Sequence, residues 1–107
     1  MPFVHIDYND AIVSEAEARQ LAEALQPIVA KATRIDDVNV YANSAPIEVN
    51  VLPIEVLIRM SARLIDDKDK LAATLREEIA AWKTAQSFPH RINFYLIPMH
   101  WKVESGI

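Results

Sequence analysis

The sequence predicts an α+β fold in which two tandem βαβ units form a four-stranded sheet with two helices on one face. Three observations predict it. Segments of β-type composition alternate with two helical periodicities, in the order strand, helix, strand, strand, helix, strand. The two halves of the chain share a pattern at a constant offset of 54 positions. The predicted strands alternate between apolar and polar residues, so one face of the sheet is suited to cover by helices.

The first unit is predicted to start with a strand over residues 3–7, followed by a helix that begins after Ser14. Ser14 and Glu17 match a capping box, in which each side chain accepts a hydrogen bond from the other residue's backbone N–H. Apolar residues then recur at helical spacing, at Leu21, Leu25, Ile28, Val29 and Ala32. Pro27 predicts a kink or a restart of this helix, because proline removes an i to i−4 hydrogen bond. A second strand is predicted over residues 38–43.

The second unit begins in a long stretch of β-type composition. This stretch covers residues 48–61, but Pro46 and Pro53 interrupt the region, and proline cannot donate to a sheet ladder. We therefore expect a short extended segment followed by a strand over residues 54–60.

The second helix is predicted to begin at a cap formed by Asp66 or Asp67 and to fade near Gln86. Its apolar stripe consists of Leu71, Leu75, Ile79 and Trp82. The composition then predicts a strand over residues 91–98 and a short strand in the tail, over residues 101–104.

The repeat is visible in the residues themselves. Residues 38–41 (VNVY) and 92–95 (INFY) match in pattern at the offset of 54, and the same offset aligns the apolar stripes of the two helices. It also places residues 2–6 on residues 56–60. A common offset through strand and helix favours a duplicated βαβ unit over chance.

A length of 107 residues suits one domain. We expect it to span residues 1–107, with the first repeat at about 1–45 and the second at about 53–104. With 51% apolar residues, the chain can bury enough surface to exclude intrinsic disorder.

Strand parity divides the predicted sheet into two faces. The apolar face carries Val4, Ile6, Val38, Val40, Ile54, Val56, Ile58, Ile92, Phe94 and Leu96. The polar face carries His5, Asp7, Asn39, Tyr41, Asn43, Glu55, Arg59, Asn93 and Tyr95. Asparagine, tyrosine, histidine and single charges favour a shared interface or a lined cavity, whereas the alternative is an open sheet that faces water.

Composition excludes several classes of site. The only glycine, Gly106, is one residue from the end, which excludes glycine-rich phosphate loops and nucleophile elbows. The absence of cysteine excludes disulfides and thiolate chemistry. His5, His90 and His100 lack zinc-like spacing, so we expect no metal and no cofactor. A net charge of −4, scattered basic residues and no long apolar run predict a cytoplasmic protein without nucleic-acid or membrane partners.

Pro2 is the sharpest local feature of the chain. Initiator methionine is normally removed before proline, which would leave Pro2 with a free secondary amine. Burial in an apolar pocket disfavours the ammonium form of such an amine, which can then act as a general base near neutral pH. The alternative is that the Met1-Pro2 pair has no catalytic role, as in many proteins.

With Pro2 opening a strand of a tandem βαβ chain, the sequence resembles the tautomerase superfamily, which includes 5-carboxymethyl-2-hydroxymuconate isomerase and macrophage migration inhibitory factor. Residues 52–57 (LPIEVL) and 94–99 (FYLIPM) are similar to an uncharacterised bacterial branch of it. The resemblance implies a homotrimeric isomerase that catalyses enol–keto proton transfer on a small 2-oxo acid, a carboxylate substrate, with Pro2 as its catalytic base.

The same resemblance implies roles for four further residues. Arg34 corresponds to a basic residue that binds a substrate carboxylate, although a solvated cation at a helix end is an equal alternative. Arg59 is a second candidate for the carboxylate, unless Glu55 on the same strand face neutralises it. Asn93 and Tyr95 lie on the last strand, where some members present polar groups to the site of a neighbouring subunit.

Two readings without catalysis remain open. The element order βαββαβ is also that of ferredoxin-like domains, which bind small molecules and usually form dimers. A tautomerase fold could also serve only as an interaction module. The strand connections and the number of subunits distinguish these alternatives.

Overall fold

Residues 2–107 are described by the computed structural model, and they form a four-stranded sheet with two long helices. The predicted order of two βαβ units is confirmed. The elements are β1 Phe3–Tyr8, α1 Glu15–Thr33, β2 Asn39–Ser44, β3 Ile54–Ser61, α2 Lys68–Ala85 and β4 Ile92–Met99. A short 3₁₀ helix, Ala62–Leu64, follows β3. No helix within residues 2–107 has an apolar stretch long enough to cross a membrane.

Both helices begin at the predicted caps. The N–H of Glu17 donates to Ser14 Oγ at 3.1 Å, and the N–H of Ser14 donates to Glu17 Oε1 at 2.9 Å. The N–H of Lys70 donates to Asp67 Oδ1 at 3.0 Å, which selects Asp67 over its neighbour as the cap of α2. The helix α1 continues through Pro27, so the predicted restart is wrong. Pro27 is exposed, and the carbonyl that loses its N–H partner can be hydrated there.

The sheet has the strand order β2-β1-β3-β4. Each βαβ unit contributes a parallel pair, β1 with β2 and β3 with β4, and the two units meet through the antiparallel pair of β1 and β3. Val4 lies opposite Ile58 in that central pair. These two residues are also 54 positions apart, so each is the repeat equivalent of the other. The repeat therefore has a local two-fold axis that passes between Val4 and Ile58.

The core lies between the apolar face of the sheet and the two helices. Strand and helix residues with 0% exposure include Val4, Ile6, Ile54, Val56, Ile58, Leu21, Leu25, Val29 and Leu75. Burial of each such aliphatic side chain stabilises the fold by roughly 1.5–3 kcal/mol. The helices cover the outer strand β4 less completely, and its residues Ile92, Phe94 and Leu96 are only partly buried.

The tail after β4 departs from the prediction. Residues 101–104 form no strand, so the short strand predicted there is wrong. Instead the Trp101 ring packs edge-on against Phe3, with 5.5 Å between ring centroids. Phe3 lies on β1, two strands away from β4, so the tail crosses the open face of the sheet rather than extending its edge.

Candidate functional site

The candidate site lies at the end of the sheet where β1 and β2 begin and where β3 and β4 end. We call this the Pro2 end. The Pro2 ring is fully buried, and its carbonyl accepts a hydrogen bond from the N–H of Asn39 at 3.2 Å. This bond fixes Pro2 at the start of the parallel pair of β1 and β2. The ring of Pro2 therefore lies in an apolar setting at the start of the sheet.

On the helix side of the Pro2 end, Arg34 lies in a cleft of about 430 Å³. The cleft is bounded by the end of α1, the 3₁₀ helix and the first turn of α2, and Lys70, Asp66 and Asp67 also line it. Arg34 ends α1 in the left-handed conformation, with φ 61° and ψ 30°. Its side chain is exposed and makes no ion pair within residues 2–107. The guanidinium of Arg34 is thus available to an anionic ligand at this end of the sheet.

On the open face of the same end is a second cleft, of about 570 Å³, whose walls are mainly aromatic. Its lining residues are Phe3, His5, Tyr41, Arg59, Met99 and Trp101. Clefts of a few hundred Å³ with few polar groups are typical of small-molecule sites. We call it the aromatic cleft.

Arg59 is the cation of the aromatic cleft, and its partner is His5. Arg59 Nη1 donates to His5 Nδ1 at 2.9 Å. Because a guanidinium can only donate hydrogen bonds, His5 Nδ1 is the acceptor in this contact. The Tyr41 ring stands edge-on to the His5 ring at 5.2 Å. Glu55 does not neutralise Arg59, since no carboxylate within residues 2–107 pairs with this guanidinium.

Asn93 and Tyr95 lie on the open face but away from Pro2. Asn93 Nδ2 donates to Glu55 Oε2 at 2.9 Å and to Tyr95 Oη at 2.8 Å. Asn93 lies in the same row across the sheet as Glu55 and Asp7, and Asp7 is five residues along β1 from Pro2. At about 3.4 Å per residue this is roughly 17 Å. A single chain therefore does not bring Asn93 to its own Pro2.

Five of the six residues that line the aromatic cleft were not among the candidate site residues from the sequence: Phe3, His5, Tyr41, Met99 and Trp101. A signal for His5 was present, because His5 and Arg59 are separated by the repeat offset of 54. Two equivalent residues next to the two-fold axis face each other diagonally across β1 and β3. No comparable signal existed for Trp101, whose position depends on the path of the tail.

Comparison with known proteins identifies this architecture. No protein-family model and no curated protein sequence matches the chain. Among solved structures, a macrophage migration inhibitory factor-like protein from Entamoeba histolytica superimposes with a TM-score of 0.62 at 12% identity, over 96% of this chain and 95% of that one. 5-Carboxymethyl-2-hydroxymuconate delta-isomerase superimposes with a TM-score of 0.59 at 16% identity, over 100% and 88% of the two chains.

A third similar structure carries a different chemistry. Malonate semialdehyde decarboxylase superimposes with a TM-score of 0.58 at 18% identity, over 98% of this chain and 91% of that one. All three proteins are tautomerase superfamily members. Their strands and helices match this chain along almost its whole length, whereas their sequences match it weakly. The chain has the fold of the tautomerase superfamily.

Proposed function

We propose that the protein is an isomerase of the tautomerase type, which transfers a proton between the enol and keto forms of a small 2-oxo acid. The observation that carries the proposal is the place of Pro2, at the start of β1 in a tautomerase fold, with its ring buried and its carbonyl bonded to Asn39. Removal of Met1 would turn the nitrogen of Pro2 into a free secondary amine at that position.

The proposed reaction requires only one base. The neutral amine of Pro2 takes the proton from the enol oxygen, and the electron pair of the O–H bond forms the carbonyl. The electron pair of the carbon–carbon double bond then binds a proton, which forms the new C–H bond. The apolar setting of Pro2 disfavours its ammonium form, which keeps the amine ready to accept the proton. The same amine returns the proton, so the reaction needs no further reactant.

The two arginines are the candidates for the substrate carboxylate. Arg34 and Arg59 lie on opposite sides of the sheet at the Pro2 end, and neither pairs with a carboxylate within residues 2–107. A guanidinium holds a carboxylate through two parallel hydrogen bonds. The aromatic side chains around Arg59 would in addition contact the apolar part of a substrate. A carboxylate with a large apolar group therefore favours Arg59 over Arg34.

We propose that Asn93 and Tyr95 act on the site of a neighbouring subunit in a homotrimer. Asn93 lies too far from Pro2 of its own chain to act on it, and the Tyr95 hydroxyl is hydrogen-bonded to Asn93. Tyr95 is the better donor to a developing enolate, because its oxygen accepts from Asn93 and its own O–H remains free. The exposure of Ile47 and Val49, at 86% and 83%, supports an assembly that covers them.

A non-catalytic binding module is the second candidate. The observation that favours it is the aromatic cleft, where Arg59 could hold an organic anion whether or not Pro2 has a free amine. In this case the protein would bind a small carboxylate without turning it over.

Two measurements distinguish the candidates. Intact mass of the native protein reports whether Met1 is removed, and the catalytic proposal requires that it is. Turnover is then followed as the loss of enol absorbance of phenylenolpyruvate and of enolised 2-oxobutanoate. We expect Pro2→Ala to lower kcat at least about 100-fold, the usual contribution of a general base.

Pro89→Ala is the matched control, since Pro89 lies exposed in the loop before β4. This variant should turn over the enol at the wild-type rate. Unchanged turnover in Pro2→Ala, or a retained Met1 in an active protein, would exclude Pro2 as the base. Binding of phenylpyruvate that Arg59→Leu abolishes, without any turnover, would establish the binding module instead.

A further inference from the structure

A groove runs between α2 and β4 on the helix face of the sheet, and it shares no lining residue with either cleft of the Pro2 end. It consists of two adjoining cavities of about 370 and 230 Å³, which share Arg76 and Phe94. The floor is formed by β4 side chains, Ile92, Phe94 and Leu96. We call it the β4 groove.

The groove exists because the helix layer covers the two repeats unequally. In the centre of the sheet, Val56 and Ile58 are completely buried under the helices, whereas Phe94 and Leu96 of β4 remain partly exposed. On the side of α2 that borders the groove, small residues such as Ala72 leave the space unfilled. An apolar strip of β4 thus stays open beside α2.

The rim of the β4 groove is basic in a chain whose net charge is −4. Lys68, Arg76 and Lys83 line it, and none of them pairs with a carboxylate within residues 2–107. Asp69 is the acidic residue among the lining side chains. Three cations against one carboxylate leave a local positive surface, which selects for an anionic partner.

The spacing of these cations restricts the shape of the partner. Lys68, Arg76 and Lys83 follow one another at 8 and 7 residues along α2, which corresponds to about 12 and 10.5 Å. A helix that lies beside α2 presents acidic residues on one face at the same intervals. An extended strand covers about 10.5 Å in roughly three residues, which puts the acidic side chains that would meet Arg76 and Lys83 on opposite faces of the strand. A single-chain lipid anion has only one charge to offer.

We propose that the β4 groove binds an acidic amphipathic helix of a partner protein. The apolar side of that helix packs on Ile92, Phe94 and Leu96, and its Asp or Glu residues, spaced by seven or eight, meet the cations of α2. The bound helix lies next to α2 as a third member of the helix layer and covers the strip of β4 that the chain leaves open.

The test is a selection from a phage-displayed library of 16-residue peptides on the immobilised full-length protein. We expect enriched peptides with acidic residues seven or eight apart on one helical face and apolar residues on the adjacent face. Their affinity, measured by fluorescence anisotropy with synthetic peptides, should fall at least tenfold in the double variant Arg76→Glu, Lys83→Glu. It should also fall with rising salt, because the contacts are charged and exposed.

The double variant Lys31→Glu, Lys102→Glu is the matched control, because it changes the net charge equally at cations outside the groove. Circular dichroism checks that both variants keep the fold. Equal binding of the selected peptides to the two variants would overturn the proposal, and so would enrichment of peptides without the acidic pattern.

Two other occupants have their own signatures. If Arg76→Glu, Lys83→Glu dissociates an oligomer of the wild-type protein in sedimentation velocity, the groove is an interface between copies of this chain and the proposal is wrong. If laurate binds the wild type but not that variant while the library yields no peptide, the groove serves a single-chain lipid anion, and the proposal is again wrong.

Discussion

Arg34 ends α1 in a backbone conformation that favours glycine. Its φ of 61° brings the Cβ close to the following carbonyl, which costs an L-residue roughly 1–2 kcal/mol. Helices commonly end on glycine for this reason, yet the one glycine of this chain is Gly106. The sequence therefore places a long cation where a residue without a side chain would be the more stable choice. Under the proposed function, the guanidinium is the gain that offsets this cost.

Arg34→Gly should separate stability from binding. Relief of the left-handed strain should raise the free energy of unfolding by about 1 kcal/mol. Loss of a charged hydrogen-bond donor to the substrate carboxylate should raise KM for phenylenolpyruvate about tenfold or more. Thermal denaturation and steady-state kinetics measure the two effects.

Arg34→Ala is the control, because alanine keeps the strained Cβ and removes only the cation. It should raise KM without a gain in stability. A KM that stays at the wild-type value in both variants would leave Arg59 as the sole carboxylate anchor.

The sequence was sufficient to select Arg34 and Arg59 as candidates, but it did not show which residues contact them. Arg59 stood out because it is a lone cation on a polar strand face. Its partner could have come from Glu55 on the same strand or from another strand, and the choice depends on the register of β1 against β3. That register follows from long-range packing, so the contact of Arg59 with His5 became visible only in three dimensions.

Among the elements, the start of α1 is tied to the loop before β4 by Glu17 and His90. Glu17 accepts from the N–H of Ser14, and His90 Nε2 lies 2.9 Å from Glu17 Oε2. The Ser14 N–H, with a smaller effect of His90, lowers the pKa of the Glu17 carboxyl below its usual value of 4.5. Both contacts favour the ionised carboxylate in the folded protein.

This lowered pKa predicts a defined acid sensitivity. A carboxyl with a lower pKa in the folded than in the unfolded state stabilises the fold above its unfolded pKa, and the stabilisation is lost as pH falls through the folded value. Glu17→Gln keeps the capping hydrogen bond but has no charge to lose. Its melting temperature should therefore fall less steeply than that of the wild type between about pH 5 and about pH 3.

Glu23→Gln is the control, because Glu23 is exposed on the same helix and makes no ion pair within residues 2–107. Its melting temperature should follow the wild-type pH profile. Parallel profiles for Glu17→Gln and the wild type would show that the contact with the Ser14 N–H and His90 does not contribute to acid stability.

The elements themselves were largely predictable, because their signals are local. The capping box, the apolar stripes and the alternation in β1 and β3 depend on residues that are close in sequence. The tail was not predictable in this way. Its composition is typical of a strand, but the ring of Trp101 gains more by packing on Phe3, which is remote in sequence. The restart of α1 at Pro27 was predicted wrongly because its ring is exposed. Water can reach the carbonyl that the ring leaves without an N–H partner.

For the whole molecule, the loop between β2 and β3 is the clearest indication of assembly. Ile47 and Val49 are exposed in the single chain, although they belong to the residue types that are usually buried. We expect the double variant Ile47→Ser, Val49→Ser to shift the protein from the proposed trimer to a monomer in sedimentation velocity. Because both side chains lie outside the core, the substitutions should not lower the melting temperature of the monomer itself.

Ile12→Ser is the control for the change in surface hydrophobicity, since Ile12 is 54% exposed in a different loop. It should leave the trimer intact. A monomeric wild-type protein, or a double variant that remains fully trimeric, would show that this loop does not hold subunits together.

The two-fold axis between Val4 and Ile58 has a consequence for the number of sites. A duplicated unit could offer two equivalent positions for a base, one in each repeat. The repeat equivalent of Pro2 is Val56, and its nitrogen is an amide within the chain. An amide nitrogen has no basic lone pair, so internal symmetry cannot copy a group that depends on being a chain terminus. Under the proposed function, the scaffold therefore carries one terminal proline amine per polypeptide, and the proposed trimer carries three.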